Sequence, residues 1–164
     1  MLTIARAGEE QIPVIQQIAY DTWPDTFRDI LSPEQIRYML HMMYHENALL
    51  QQMRSGHVFL LAEWSGMPGG FAAYELNYHH QPVSKLHKIY VLPSMQGKQV
   101  GKALLQEVSR IAGEAGMQQV WLNVNRENKA TGFYERFGFI KTGEEDIDIG
   151  NGYFMNDTIM QLTL

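Results

Sequence analysis

Apolar and polar residues alternate from Leu2 to Arg6, the pattern of a short strand. Ile12, Ile15 and Ala19 then recur at helical spacing and predict a helix from about Glu9 to Tyr20, stopped by Trp23-Pro24-Asp25. Ser32-Pro33-Glu34-Gln35 offers an N-cap, a proline suited to the first helical position and a glutamine placed to complete a capping box. The helix it opens runs to about Tyr44, and a third, from Glu46 to Arg54, ends at Ser55-Gly56. From His57 the period drops to two. His57 to Trp64 and Gly70 to His79 read as a hairpin around the turn residues Ser65 to Gly69, and Ser84 to Leu92 as a strand stopped by Pro93.

Val100, Ala103, Leu104, Val108 and Ile111 mark one side of a helix from about Lys98 to Ala115, closed by Gly116. Val120, Leu122 and Val124 alternate in a strand from near Gln118, and Ala130, Phe133, Tyr134 and Phe137 line a short helix closed by Gly138. Phe139 to Ile147 and Tyr153 to Leu164 make two last strands. This order predicts an α/β (α+β) domain, a mixed sheet with helices on both faces. Neither an internal repeat nor a linker interrupts it, so residues 1–164 are read as a single domain.

Composition narrows the function classes. With 164 residues and 45% apolar content the chain can furnish one sizeable core. Its longest apolar run, Val58 to Ala62, is far short of the roughly 20 residues of a membrane helix, and the first residues lack an apolar leader core. A cytoplasmic protein with no membrane partner is expected. The absence of cysteine excludes disulfides, thiolate metal sites and a Cys-acyl intermediate. A net charge of -5 with scattered Lys and Arg disfavours a nucleic-acid partner and suits a small cation. His41 and His45 have helical spacing and His79-His80 are adjacent, but no acidic third ligand joins them, so no metal is expected. Met39, Met42, Met43 and Met53 read as core filling, with a homodimer interface left open.

The chemistry concentrates between Lys88 and Leu105. A strand there feeds a glycine-bearing loop that opens a helix, so free backbone N–H groups and the positive helix end converge where a pyrophosphate would fit. Lys98 and Lys102 add charge. The spacing matches neither a P-loop nor a dinucleotide fingerprint. It resembles the acetyl-CoA loop of the GNAT superfamily of N-acetyltransferases: Gln or Arg, two residues, Gly, one residue, then Gly or Ala. Gln96, Val100 and Gly101 match in register, while Gln99 stands where the family usually has its first glycine. A second segment, Asn125 to Phe139, is similar to the family's Asn, small residue, aromatic-Tyr and Gly-Phe pattern. More loosely, Thr22 to Phe27 and Asp148 to Asp157 resemble the bacterial spermidine/spermine acetyltransferase branch.

The resemblance implies a mostly antiparallel sheet of about seven strands with a splayed central parallel pair. It implies acetyl-CoA as cosubstrate, held by Tyr90, Val91, Gln96, Gly97, Lys98, Gln99, Val100, Gly101 and Lys102, with Asn128 on the pantetheine and Arg136 approaching the phosphates. It implies direct attack by a primary amine, a polyamine or other small amine before a peptide. The backbone N–H near Val91 would meet the developing oxyanion, and Tyr134 would be the general acid to the CoA thiolate. Where the family often has a carboxylate on its fourth strand, the chain offers Lys85, His87 and Lys88; His87 is the candidate base because an imidazole titrates near 7. Glu75 and Tyr74 are other candidates, and Asp21, Asp25 and Asp29 would attract a cationic substrate. Gln99 and the missing strand carboxylate keep open an alternative, a catalytically weak CoA-binding regulatory or interaction module.

Overall fold

The computed structural model describes all residues 1–164. Its strands are β1 (Leu2–Ala7), β2 (Val58–Trp64), β3 (Met67–Glu75), β4 (Val83–Val91), β5 (Gln119–Asn125), β6 (Ile140–Gly150) and β7 (Tyr153–Thr163). The helices are α1 (Ile12–Phe27), α2 (Pro33–Tyr44), α3 (Glu46–Arg54), α4 (Val100–Glu114) and α5 (Ala130–Phe137). The strands form one seven-stranded sheet in the order β1-β2-β3-β4-β5-β7-β6, antiparallel except for the central pair β4 and β5. α4 and α5 cover one face with Leu104, Leu105, Val108 and Tyr134; α1 to α3 cover the other with Trp23, Tyr44 and Leu49 against Phe59 and Phe71.

The first helix is longer than its sequence suggests. α1 runs through Pro24 to Phe27. Pro24 has no N–H for the carbonyl of Tyr20, but Tyr20 is exposed at 42%, so water can serve that oxygen. Burial rewards the extra turn: Trp23 and Phe27 are 1% and 5% exposed, with ring centroids 4.7 Å apart. At α2 the Ser32 hydroxyl accepts the Gln35 N–H as expected, yet the Gln35 side chain donates to the Phe154 carbonyl instead of closing a capping box. The first hairpin turns on two residues only, Ser65 and Gly66, both at positive φ, so β3 starts at Met67 and not at Gly70. β3 also ends early, at Glu75. Beyond it Asn77, His79 and His80 take left-handed conformations around a short 3-10 turn.

One irregularity positions the site. Lys88 pairs with Ala73 across the sheet, but the next pair is Leu86 with Tyr74, so His87 is an extra residue on β4. Such a bulge bends its strand. The parallel ladder to β5 runs only from Val83 and Gln119 to Leu86 and Leu122, and the two strands continue to Val91 and Asn125 without pairing to each other. The splay therefore opens at the bulge. The bulge also moves Lys88 off the face of Leu86: Ala73, its partner, belongs to the α1–α3 core, while Leu86 belongs to the α4–α5 core.

Candidate active site

One cleft of about 1450 Å³ occupies the splay, reaching from Trp23, Met39 and Met43 on the α1–α2 side to Gly97, Lys102 and Asn128 on the α4–α5 side. Of the residues expected from the sequence, His87, Tyr90, Val91, Gln96, Gly97, Gln99, Val100, Gly101, Lys102, Asn128, Tyr134 and Arg136 all line it. Lys98 does not. Its ammonium lies 5.0 Å over the Trp64 ring, turned away from the loop it was expected to charge.

The loop before α4 presents a run of unbonded backbone N–H groups. Gly97 has φ of +82° and Gln99 of +62°, so the backbone coils tightly into the helix. The N–H groups of Gly97 and Gln99 make no bond within the protein, and the first intrahelical donor here is Ala103, to the Gln99 carbonyl at 3.0 Å. The donors of Val100, Gly101 and Lys102, in the first helical turn, are likewise open to a ligand. Gln99 thus keeps the left-handed conformation that a glycine would adopt freely. Just past the end of β4 the Leu92 N–H donates to the Gly69 carbonyl at 2.8 Å, so strand alternation aims the Val91 N–H the other way, into the splay.

Tyr134 stands on α5 at 7% exposure, its ring edge-on to Phe133 and Phe139 at centroid distances of 5.4 and 5.7 Å. Its hydroxyl lines the cleft without a protein partner, and burial pushes its pKa up, so the phenol stays protonated. Burial does the same for Tyr90, which packs against Trp23 and Phe71 on the α1–α3 side, helped by Tyr134 and Asp157. The Asn128 side-chain oxygen accepts the Ala130 N–H at 2.9 Å, which leaves its amide NH2 for a ligand.

His87 is not the free imidazole that its sequence position suggested. Its Nε2 is 2.9 Å from Glu75 Oε1, and its ring stacks on His57 at 4.1 Å and 4°, with His57 Nε2 3.4 Å from the same oxygen. Burial, with Lys88 and Lys85 nearby, lowers His87 to about 3; burial and His87 lower His57 to about 4. Both rings are neutral at pH 7 and weak as bases. His57, Glu75 and His87 bring three ligating atoms within 4.8 Å of one another. Near-parallel rings hold their in-plane lone pairs in separate planes, however, and a tetrahedral ion needs them to converge. Tyr74 packs in the α4-side core, and neither it nor Glu75 lines the cleft.

Sequence reasoning missed the polar groups that β5, β6 and β7 deliver. Lys85 Nζ donates to Asn123 Oδ1 at 2.6 Å, and Asn123 Nδ2 reaches Glu145 at 2.9 Å and Asp157 at 3.3 Å. Burial raises the pKa of Asp157 against the pull of Asn123, and its residue is 7% exposed. Asp25 and Asp29 also line the cleft, whereas Asp21 lies outside it, bonded by Gln17 at 2.9 Å. The available signal was phase: Asn123 alternates against Val120, Leu122 and Val124 and so faces away from the α4 core.

Comparison with known proteins gives a consistent picture. A family model described as Acetyltransferase (GNAT) family matches residues 15–139. An uncharacterized N-acetyltransferase of Methanocaldococcus jannaschii is 36% identical over 49% of this chain, a match spanning 38% of that relative. A spermidine N(1)-acetyltransferase of Thermoplasma acidophilum is 25% identical over 84% of this chain and 88% of its own length. Among solved structures, the PaiA N-acetyltransferase of Thermoplasma acidophilum in complex with coenzyme A superimposes with a TM-score of 0.84 at 25% identity, covering 100% of this chain and 99% of that one.

Proposed function

The chain belongs to the acetyltransferase (GNAT) family, and from that premise we propose that it moves acetyl from acetyl-CoA to the primary amine of a small molecule by direct attack. The observation that carries this reading is the meeting of three features in one cleft. They are the open N–H groups before α4, the Val91 N–H in the strand splay, and the unpartnered Tyr134 hydroxyl. The pyrophosphate sits on the N–H groups of residues 97 to 102, and the pantetheine follows the splay past the Asn128 amide.

In this reading the amine nitrogen attacks the thioester carbonyl carbon, and the Val91 N–H meets the charge that develops on oxygen. The C–S bond then breaks. The leaving thiolate, whose conjugate thiol has a pKa of roughly 8.5 by analogy with cysteine, takes the Tyr134 proton. Burial raises the phenol above that thiol, so the transfer runs uphill and is completed when the proton that the attacking nitrogen sheds on becoming an amide passes to the Tyr134 oxygen. With His87 held neutral and bonded to Glu75, the proton of the incoming ammonium is assigned to Asp157, which removes it before the freed amine attacks. Acidic groups at 25, 29, 145 and 157 around the cleft support a cationic acceptor, and the spermidine enzyme of Thermoplasma acidophilum supports a small one.

Thiol release from acetyl-CoA against a panel of amines tests the reading. Turnover with at least one small amine is expected, and Tyr134→Phe should lower kcat by about 10²-fold or more with the KM for acetyl-CoA little changed. Coenzyme binding without release for any amine would instead favour the non-catalytic module, and full turnover by Tyr134→Phe across pH would remove that tyrosine from the chemistry.

A further inference from the structure

The acceptor half of the cleft holds a cation that nothing in the protein answers. Lys88 is only 6% exposed, yet it lines the cleft. Its ammonium lies 5.3 Å over the Tyr44 ring. It forms no salt bridge or hydrogen bond, and burial alone accounts for its altered titration, with no carboxylate contributing. The Tyr44 hydroxyl and Trp23 Nε1 beside it are sealed from solvent without partners, whereas the Lys88 ammonium is not sealed and so opens on the cleft. A methionine would fill the same volume without the desolvation cost of a buried, unpaired charge.

The β4 bulge decides which ligand this cation can meet. By turning Lys88 toward α1–α3, it places the ammonium on the opposite face of the sheet from α4, α5 and Tyr134, hence away from the coenzyme phosphates. The neighbouring imidazoles of His57 and His87 are neutral, and Lys85 is held by Asn123 at 2.6 Å with Glu145 and Asp157 near it, so Lys88 is the one uncommitted positive charge at this wall. A single ammonium matches a monoanion, and a phosphate dianion would be left short of charge.

We infer that Lys88 binds a carboxylate carried by the acyl acceptor, so that this cleft selects an amino-acid-like amine with its reacting nitrogen toward Asp157 and its carboxylate toward the α1–α2 wall. The inference rests on the acetyltransferase reading above and narrows the acceptor within it. Its other half is already present in the carboxylate of Asp157, which complements the amine while Lys88 complements the acid.

Matched amines test it: n-butylamine against γ-aminobutyrate, and cadaverine against lysine, each assayed by thiol release. The carboxylated member of each pair should have the higher kcat/KM, by about 10-fold or more, and both Lys88→Met and Lys88→Gln should shrink that ratio by about 10- to 100-fold. A wild-type enzyme that favours the plain amines overturns the inference, as does a ratio unmoved in both variants. Preference for aminoethyl phosphate over γ-aminobutyrate overturns the carboxylate assignment. Should no amine release thiol, the acetyltransferase reading fails by itself. Calorimetry of γ-aminobutyrate against n-butylamine on the protein–CoA complex then decides Lys88 separately: heat with the acid that is lost in Lys88→Met supports the site, and equal heats reject it.

Discussion

Replacing Lys88 by methionine should stabilise the fold at neutral pH, an unusual result for a residue that lines the cleft. Burial lowers the ammonium from 10.5 to about 8. At 1.36 kcal/mol per pH unit, this disfavours the folded state by about 3 kcal/mol wherever the lysine is charged in both states. The sign follows from proton counting. Between pH 8 and 10.5 the unfolded chain binds more protons than the folded one, so stability rises with pH across that window, and below pH 8 the full cost remains. Methionine keeps the length of the stem and discards the charge, but it also discards the contact with the Tyr44 ring, worth about 0.5–2 kcal/mol. The expected net gain at pH 7 is about 1–3 kcal/mol, shrinking toward zero or reversing by pH 10. Urea unfolding of both proteins at pH 7, 8.5 and 10 measures it, and other titrating groups cancel in the difference. A variant less stable than wild type at pH 7, or a gap that ignores pH, would refute the argument and mean that the ammonium has a partner in solution.

Three other outcomes follow from the same geometry. Gln99→Gly relieves a left-handed residue at φ of +62°, worth about 1–2 kcal/mol, against about 0.4–1 kcal/mol of added chain entropy; thermal unfolding should move up by about 1–4 °C, and an unchanged or lower midpoint contradicts the strain. His57 and His87 titrate near 4 and 3 in the fold and near 6.5 when unfolded, so the unfolded chain takes up more protons as pH falls below about 6.5. Stability should therefore drop by up to about 2.7 kcal/mol per pH unit on the way to pH 4, and His57→Phe should flatten that slope. Asp157→Asn should lower kcat/KM for the amine by about 10²-fold at pH 7, with the deficit narrowing by pH 10, where about 30% of an alkyl amine is already free base. A deficit equal at both pH values would make Asp157 a binding group and not a base.

The line between what was legible and what was not follows locality. Strand-loop-helix order, the Gln96 to Gly101 loop and the Tyr134 helix are each encoded within about ten consecutive residues, where period and turn chemistry speak directly. Even there, a strong rule outweighed a quieter pattern. Pro24 reads as a stop, although Ile12, Ile15, Ala19, Trp23 and Phe27 keep helical spacing straight through it, and the burial of the last two decides the matter. The acceptor side was invisible for a different reason. Asn123, Glu145 and Asp157 meet only because β5, β6 and β7 pair out of chain order, which no local window records.

Lys88 is the sharpest case. Alternation from the buried Leu86 assigns it to the face of the α4 core, and that assignment fails by one residue because His87 is extruded as a bulge. A single inserted position on one strand thus opens the splay and, in the same step, carries a charge from the α4–α5 face of the sheet to the α1–α3 face. Deleting His87 should close both together: the β4–β5 ladder would extend toward Tyr90, and Lys88 would return to the side of Leu86, where a buried ammonium has even less to answer it. Calorimetry with the coenzyme and thiol release with the matched amines should therefore show both losses in the deletion variant, and loss of one without the other would refute the link through backbone register.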